Sequence, residues 1–212
     1  MKKLPFNFKF IISMFLLALG IQLVVMSSMG ATAVTSASYV LSLVAPISFA
    51  VVNTLFNVSY IFLQKLILKD SFKPIQYFQI FIAFLLGFAM DLWEELLRFI
   101  EVQSPLEKWF FLFLGCFFIA YSTSLQIRNT KIYNPAEGFV YALAKKYKKP
   151  FGNIKLGFDL SLVFLGILIS YISFGEIRGV GIATIIAGLI IGPLIRLIEG
   201  LFKKLYPEIP NP

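Results

Sequence analysis

The chain has 212 residues, of which 58% are hydrophobic and 14% charged, with a formal net charge of +8. A water-soluble domain is about 45–50% apolar and about 25% charged, so this composition leaves too little polar surface for a soluble fold. Histidine is absent and Cys116 is the single cysteine, which excludes an internal disulfide and removes the usual transition-metal ligands and the commonest general base.

A spanning helix needs roughly 20 mostly apolar residues, and six runs meet that need. They are predicted over 8–28, 46–66, 74–97, 109–127, 156–174 and 180–201. Met1-Lys2-Lys3 ahead of the first run imitates a signal peptide. The small-residue cleavage pattern after it is weak and five more apolar runs follow, so the run is expected to be a retained helix. The runs are continuous and too long for alternating barrel strands of about 10 residues. Two further stretches are weaker. Residues 30–44 carry Thr32, Thr35, Ser36, Ser38 and Ser42 among apolar residues and read as a short re-entrant or interfacial helix. Residues 134–147 set Phe139, Val140, Leu143 and Ala144 beside a lysine cluster, as in a helix lying on a basic membrane face.

The basic residues stand between the apolar runs, which favours a membrane surface over nucleic acid as their partner. With the N-terminus inside and six spans, every Lys and Arg falls on the inner side except Arg98, Lys108 and Arg178. This asymmetry predicts that both termini are cytoplasmic, along with the segment 145–155.

The two halves, 1–105 and 106–212, resemble each other. Phe15-Leu16-Leu17-Ala18-Leu19-Gly20 matches Phe110-Phe111-Leu112-Phe113-Leu114-Gly115, Tyr39 and Leu41 match Tyr141 and Leu143, and Ala83, Gly87 and Asp91 match Gly188, Gly192 and Arg196. Three spans per half is an odd number, so the second copy enters the membrane from the opposite side. The expected fold is therefore all-α and polytopic, one membrane domain of two inverted three-helix repeats with short membrane-surface helices.

Candidate residues follow from small and polar side chains inside the runs. Ala83, Gly87, Gly188 and Gly192 form small-xxx-small stripes that let helices approach, and Pro193 favours a kink. The third and sixth runs are expected to cross near Gly87 and Gly192. Gln22, Asn53, Asn57 and Gln79 are candidate solute or pore residues, joined by the intramembrane charges Asp91, Asp159 and Arg196. Asp159 and Arg196 are expected at similar depth, as a pair. No catalytic, phosphate-loop or metal-ligand spacing is present, so neither an enzyme nor a bound cofactor or metal is expected.

Leu19-Gly20, Met29-Gly30-Ala31-Thr32, Leu86-Gly87-Phe88-Ala89-Met90-Asp91 and the run from Gly179-Val180-Gly181 to Gly192-Pro193-Leu194-Ile195 resemble the bacterial YczE/YyaS/YitT group of small membrane proteins. Ala31-Thr32-Ala33 stands where that group often has a proline and a tryptophan. The resemblance implies a multi-pass protein of the bacterial plasma membrane and says little about activity.

The leading functional expectation is a small secondary transporter or permease-like protein. A substrate-binding membrane subunit of a modular vitamin or metal-ion importer is the first alternative, and a non-transporting scaffold or assembly factor the second. The expected partners are the lipid bilayer and either a second copy or a partner membrane subunit; no nucleic acid is expected.

Overall fold

A computed structural model describes residues 8–129 and 132–205. The described residues form eight α-helices: α1 (Phe8–Met26), α2 (Ser36–Val44), α3 (Phe49–Leu68), α4 (Phe78–Leu97), α5 (Pro105–Asn129), α6 (Pro135–Tyr147), α7 (Phe151–Phe174) and α8 (Ile182–Leu205). Two 3₁₀ turns, Lys69–Ser71 and Pro74–Tyr77, join α3 to α4. Lys2, Lys3 and Lys131, which enter the orientation argument, lie outside the described residues.

Local chemistry sets several boundaries. Ser48 caps α3, its Oγ accepting from the Val51 N–H at 3.3 Å. Pro135 opens α6, where a missing N–H costs nothing. Gly175, at φ 72°, closes α7 in the left-handed region.

Five of the helices are long and apolar enough to cross a membrane: Phe8–Met26, Phe49–Ser71, Pro105–Arg128, Phe151–Phe174 and Ile182–Phe202. α4 has 20 residues but carries Asp91, Glu94 and Glu95 in its second half and is not among the five. Phe84, Phe88, Leu160, Phe164, Ile185 and Leu189 are all more than half exposed on the outside of the bundle. An apolar surface of that kind belongs against lipid. The chain is a multi-pass membrane protein.

α1 and α5 form the centre, packed on each other over most of their length. α4 packs on α1, and α8 packs on α5. α2 packs on α7, and α6 on α3. The main core gathers Phe10, Met14, Ala18, Leu112 and Cys116 of α1 and α5 with Ile82, Met90, Ala183 and Ala187 of α4 and α8. α3 and α4 pack side by side, whereas α7 and α8 scarcely touch; α4 also touches α6, whereas α8 and α2 scarcely meet.

α6 departs from the expectation of a helix lying on a surface, and of the two readings of residues 30–44, re-entrant or interfacial, α2 departs from the interfacial one. Both are embedded between longer helices, because the faces they bury are built from small residues. Ser36, Ala37 and Ser38 of α2 are buried, as are Ala136, Gly138, Ala142 and Ala144 of α6. Gly166 of α7 makes room for α2, its missing Cβ lying 3.3 Å from the Ser36 carbonyl carbon. Lys145 and Lys146 do remain exposed, at the C-terminal end of α6.

The expected crossing at Gly87 and Gly192 is also replaced. Gly87 packs against α3, where an added Cβ would collide with Thr54 Oγ1 and stand 3.5 Å from the Ala50 carbonyl. A Cβ added at Gly188 or Gly192 meets nothing within 4 Å. The stripe on α8 faces the space left by the parting of α7 and α8.

Candidate functional site

That space continues into a cavity of about 330 Å³ lined by α1, α3, α4, α5, α6, α7 and α8. Leu17, Ile21, Leu86, Ile119, Ile191 and Ile195 supply apolar wall, and Gly188 and Gly192 lie along it. The polar lining comes from Asn53, Asn57, Thr123, Asn134, Glu137, Lys155 and Asp159, with Thr32 and Thr35 just ahead of α2. The N-terminal ends of both short helices therefore reach the same cavity. A volume near the lower end of the usual range for small-molecule pockets, apolar walls and a few converging polar groups are the ordinary features of a ligand site.

Each short helix is fixed there by groups from elsewhere in the chain. Ala31 N–H donates to the Gly179 carbonyl at 2.9 Å, and Thr184 Oγ1 donates to the Ala31 carbonyl at 2.6 Å. At α6, Gln64 and Gln79 exchange reciprocal amide hydrogen bonds at 2.8 and 3.2 Å, and Gln64 Nε2 also donates to the Pro135 carbonyl at 3.0 Å. Gly138 lets α6 sit against that glutamine pair.

Among the described residues, three charged side chains line the cavity. Lys155 Nζ donates to Asp159 Oδ1, an i,i+4 ion pair along α7. Glu137, in the first turn of α6, makes no hydrogen bond or ion pair among the described residues. Burial pushes its carboxyl above the ordinary value; the Lys155 charge opposes that rise and the Asp159 charge adds to it.

The uncharged groups are mostly committed. Asn57 Nδ2 donates to the Asn53 carbonyl at 2.8 Å, and Asn53 Oδ1 accepts from Ser38 Oγ at 3.3 Å. Thr123 Oγ1 donates to the Ile119 carbonyl at 2.8 Å. Asn134 Nδ2 donates to Gln126 Oε1 at 2.6 Å, and Gln126 Nε2 donates on to Ser122 Oγ at 3.2 Å. The other end of that chain is open: Asn134 Oδ1 is buried without a partner.

Of the residues singled out from the sequence, Asn53, Asn57, Asp159, Gly188 and Gly192 meet at this cavity. Gln22 instead lines a separate pocket with Glu94 and Arg98, and its Nε2 donates to the Met90 carbonyl at 3.0 Å. Gln79 is spent on Gln64. Asp91 is exposed near the end of α4, and Ala83 is buried against α3. Pro193 lies within α8, which continues through it. The expected Asp159–Arg196 pair does not form, because Lys155 is one turn away while Arg196 lies exposed across the α7–α8 gap. The ion pair that does join α8 to a neighbour is Arg128–Glu199, at 3.1 Å.

Glu137, Lys155 and Asn134 are the site residues that sequence reasoning missed. One signal was available for Glu137: it is the lone acid between Lys131 and Lys155, in a segment read as a basic surface.

A family model described as a family of unknown function, DUF6198, matches residues 7–200, and the chain belongs to that family. Nothing in that match links the chain by name to the YczE/YyaS/YitT group. No curated protein and no solved structure matches the chain.

Proposed function

We propose that this member of DUF6198 is a small secondary transporter of the plasma membrane, built from two inverted repeats, with its solute site in the central cavity. The observation that carries the reading is the unequal packing of equivalent helix pairs. Under the sequence repeat, α1 to α4 correspond in order to α5 to α8. The contacts follow that correspondence: α1–α4 is echoed by α5–α8, and α3–α6 by α7–α2. The largest difference is between α3–α4, which is closed, and α7–α8, which is parted beside the cavity; α4 also touches α6 where α8 and α2 scarcely meet. Two inverted halves in unlike conformations around one site are what alternating access requires.

In this reading α4 is the sixth span. Its 20 residues reach roughly 30 Å, and its acids are confined to the second half. Both termini are then cytoplasmic, as the lysine and arginine asymmetry requires, and α2 and α6 are re-entrant helices entering from opposite faces. Irregular backbone at depth is tolerated where it is covered by protein or lines a cavity. Here the hydrogen bonds of Ala31 and Pro135 satisfy it.

The test is flux. Purified protein in liposomes, loaded with a cell-extract solute pool and exchanged against an isotopically labelled pool, should show saturable exchange of at least one solute. Glu137→Gln should suppress it. Exchange no greater than in empty liposomes would contradict the proposal.

The alternative of a substrate-binding subunit of a modular importer draws on the unpartnered Gly188–Gly192 face of α8, which a partner helix would fit. A stable ATPase assembly co-purifying with the protein would favour it.

A further inference from the structure

We infer that the cavity takes a small organic cation, an ammonium group carrying an alkyl portion. The inference rests on the cavity being the solute site, and it adds the chemical class.

Charge is the first argument. Glu137 and Asp159 bring two carboxylates, and the one basic group that lines the cavity among the described residues, Lys155, is paired with Asp159. Glu137 is partly buried on the cavity wall and has no hydrogen bond or ion pair among the described residues, the Lys155 charge acting on it only through space. A carboxylate withdrawn from bulk water without a partner is costly. Its place in the first turn of α6 favours the ionised form through the helix dipole, but a dipole supplies only partial charge. A bound cation would supply the remainder.

Hydrogen-bonding sense is the second argument, and it is independent. The donors of Asn57, Thr123 and Asn134 are turned onto protein acceptors. Two acceptors on the lining are left without a donor, the Glu137 carboxylate and the buried Asn134 Oδ1, beside the spare N–H groups of the Lys155 ammonium and of the Asn57 and Asn134 amides. A ligand that satisfies those two acceptors must bring N–H or O–H donors. An anionic ligand would meet Glu137 first and would leave Asn134 Oδ1 unpaired.

The walls set the remainder of the ligand. Ile21, Leu86, Ile119 and Ile191 offer an apolar surface for a few methylenes.

The experiment uses the full chain in nanodiscs, with n-butylammonium as the probe and n-butyrate and n-butanol as controls of matched size. Butylammonium should bind saturably by isothermal titration, with butyrate and butanol showing no saturable heat. Glu137→Gln should weaken butylammonium at least tenfold, and Glu137→Asp, which keeps the charge, should weaken it less than Glu137→Gln. Should Glu137→Gln fail to fold, a second measurement decides. In a Cys116→Ala background, maleimide labelling of Gly192→Cys should be slowed by butylammonium and not by butyrate. Equal protection by butyrate, or undiminished binding to folded Glu137→Gln, overturns the inference. Butylammonium binding without flux in liposomes would sink the transport reading and leave the cation site standing. Solute flux without butylammonium binding or protection would do the reverse.

Discussion

Gly20 of α1 and Gly115 of α5 stand face to face in a reciprocal contact. A Cβ on Gly20 would lie 2.8 Å from the Gly115 carbonyl oxygen, and a Cβ on Gly115 would lie 2.8 Å from the Gly20 carbonyl oxygen. Each also abuts the residue one turn beyond its partner, Ile119 and Val24 respectively. These are the same two glycines that end the matching six-residue stretches of the two halves, so the central crossing pairs two residues matched by sequence.

The atoms an added methyl group would meet at this crossing are partly backbone, which cannot swing aside. Gly20→Ala and Gly115→Ala should each destabilise the protein by about 1–3 kcal/mol, the usual cost of overpacking. Gly188→Ala and Gly192→Ala, with open space at Cβ, should not be destabilising. Unfolding in mixed detergent micelles, followed by tryptophan fluorescence, compares the four.

The membrane class and the order of the long helices are legible in the sequence because they rest on apolar run length. The partners of the small-residue stripes are not. Gly87 and Gly192 stand at matched positions in the sequence, yet one is packed on Thr54 and the other faces open space, a difference that a shared small-residue pattern cannot encode. Asp159 illustrates a second limit: Arg196 was a plausible partner by depth, but a lysine one turn away on the same helix reaches it without crossing a gap. Glu137 was hidden because a segment with so many lysines reads as surface, whereas its small residues carry the first turn inward.

Arg128 and Glu199 should behave as one buried unit. Their side chains are only 10% and 19% exposed, and breaking such a pair leaves the survivor uncompensated. Glu199→Gln should cost about 3 kcal/mol. The double variant Arg128→Met with Glu199→Leu should be less destabilised than either Arg128→Met or Glu199→Leu alone, because no lone charge remains. A double-mutant cycle in the same unfolding assay checks this.

Stability should depend on pH through Glu137. Burial raises its carboxyl value in the folded protein above that of the unfolded chain, so the folded state binds the proton more tightly. That contribution is fully present on the acid side of the ordinary carboxylate range and is lost as pH rises through the raised value. Thermal unfolding from about pH 4 to about pH 8 should show this decline, and Glu137→Gln should flatten it. An unchanged slope in the variant would mean that another group sets the dependence.

Topology is open to labelling. In a Cys116→Ala background, a cysteine at Lys149 should be unreactive to an impermeant maleimide added to intact cells, and reactive after permeabilisation. One at Lys108 should react from outside. Labelling of Lys149→Cys in intact cells would invert or break the six-span arrangement.

The central claim is that the parted α7–α8 pair and the closed α3–α4 pair exchange states. Paired spin labels in nanodiscs measure it most directly, one protein carrying Gly157→Cys with Gly192→Cys across α7 and α8, another carrying Leu55→Cys with Phe84→Cys across α3 and α4, both lacking Cys116. Electron–electron resonance should give two distance populations for each pair, and adding butylammonium should change their proportions in opposite senses. A single unchanging distance for both pairs, with and without the cation, would show a static bundle and contradict the account.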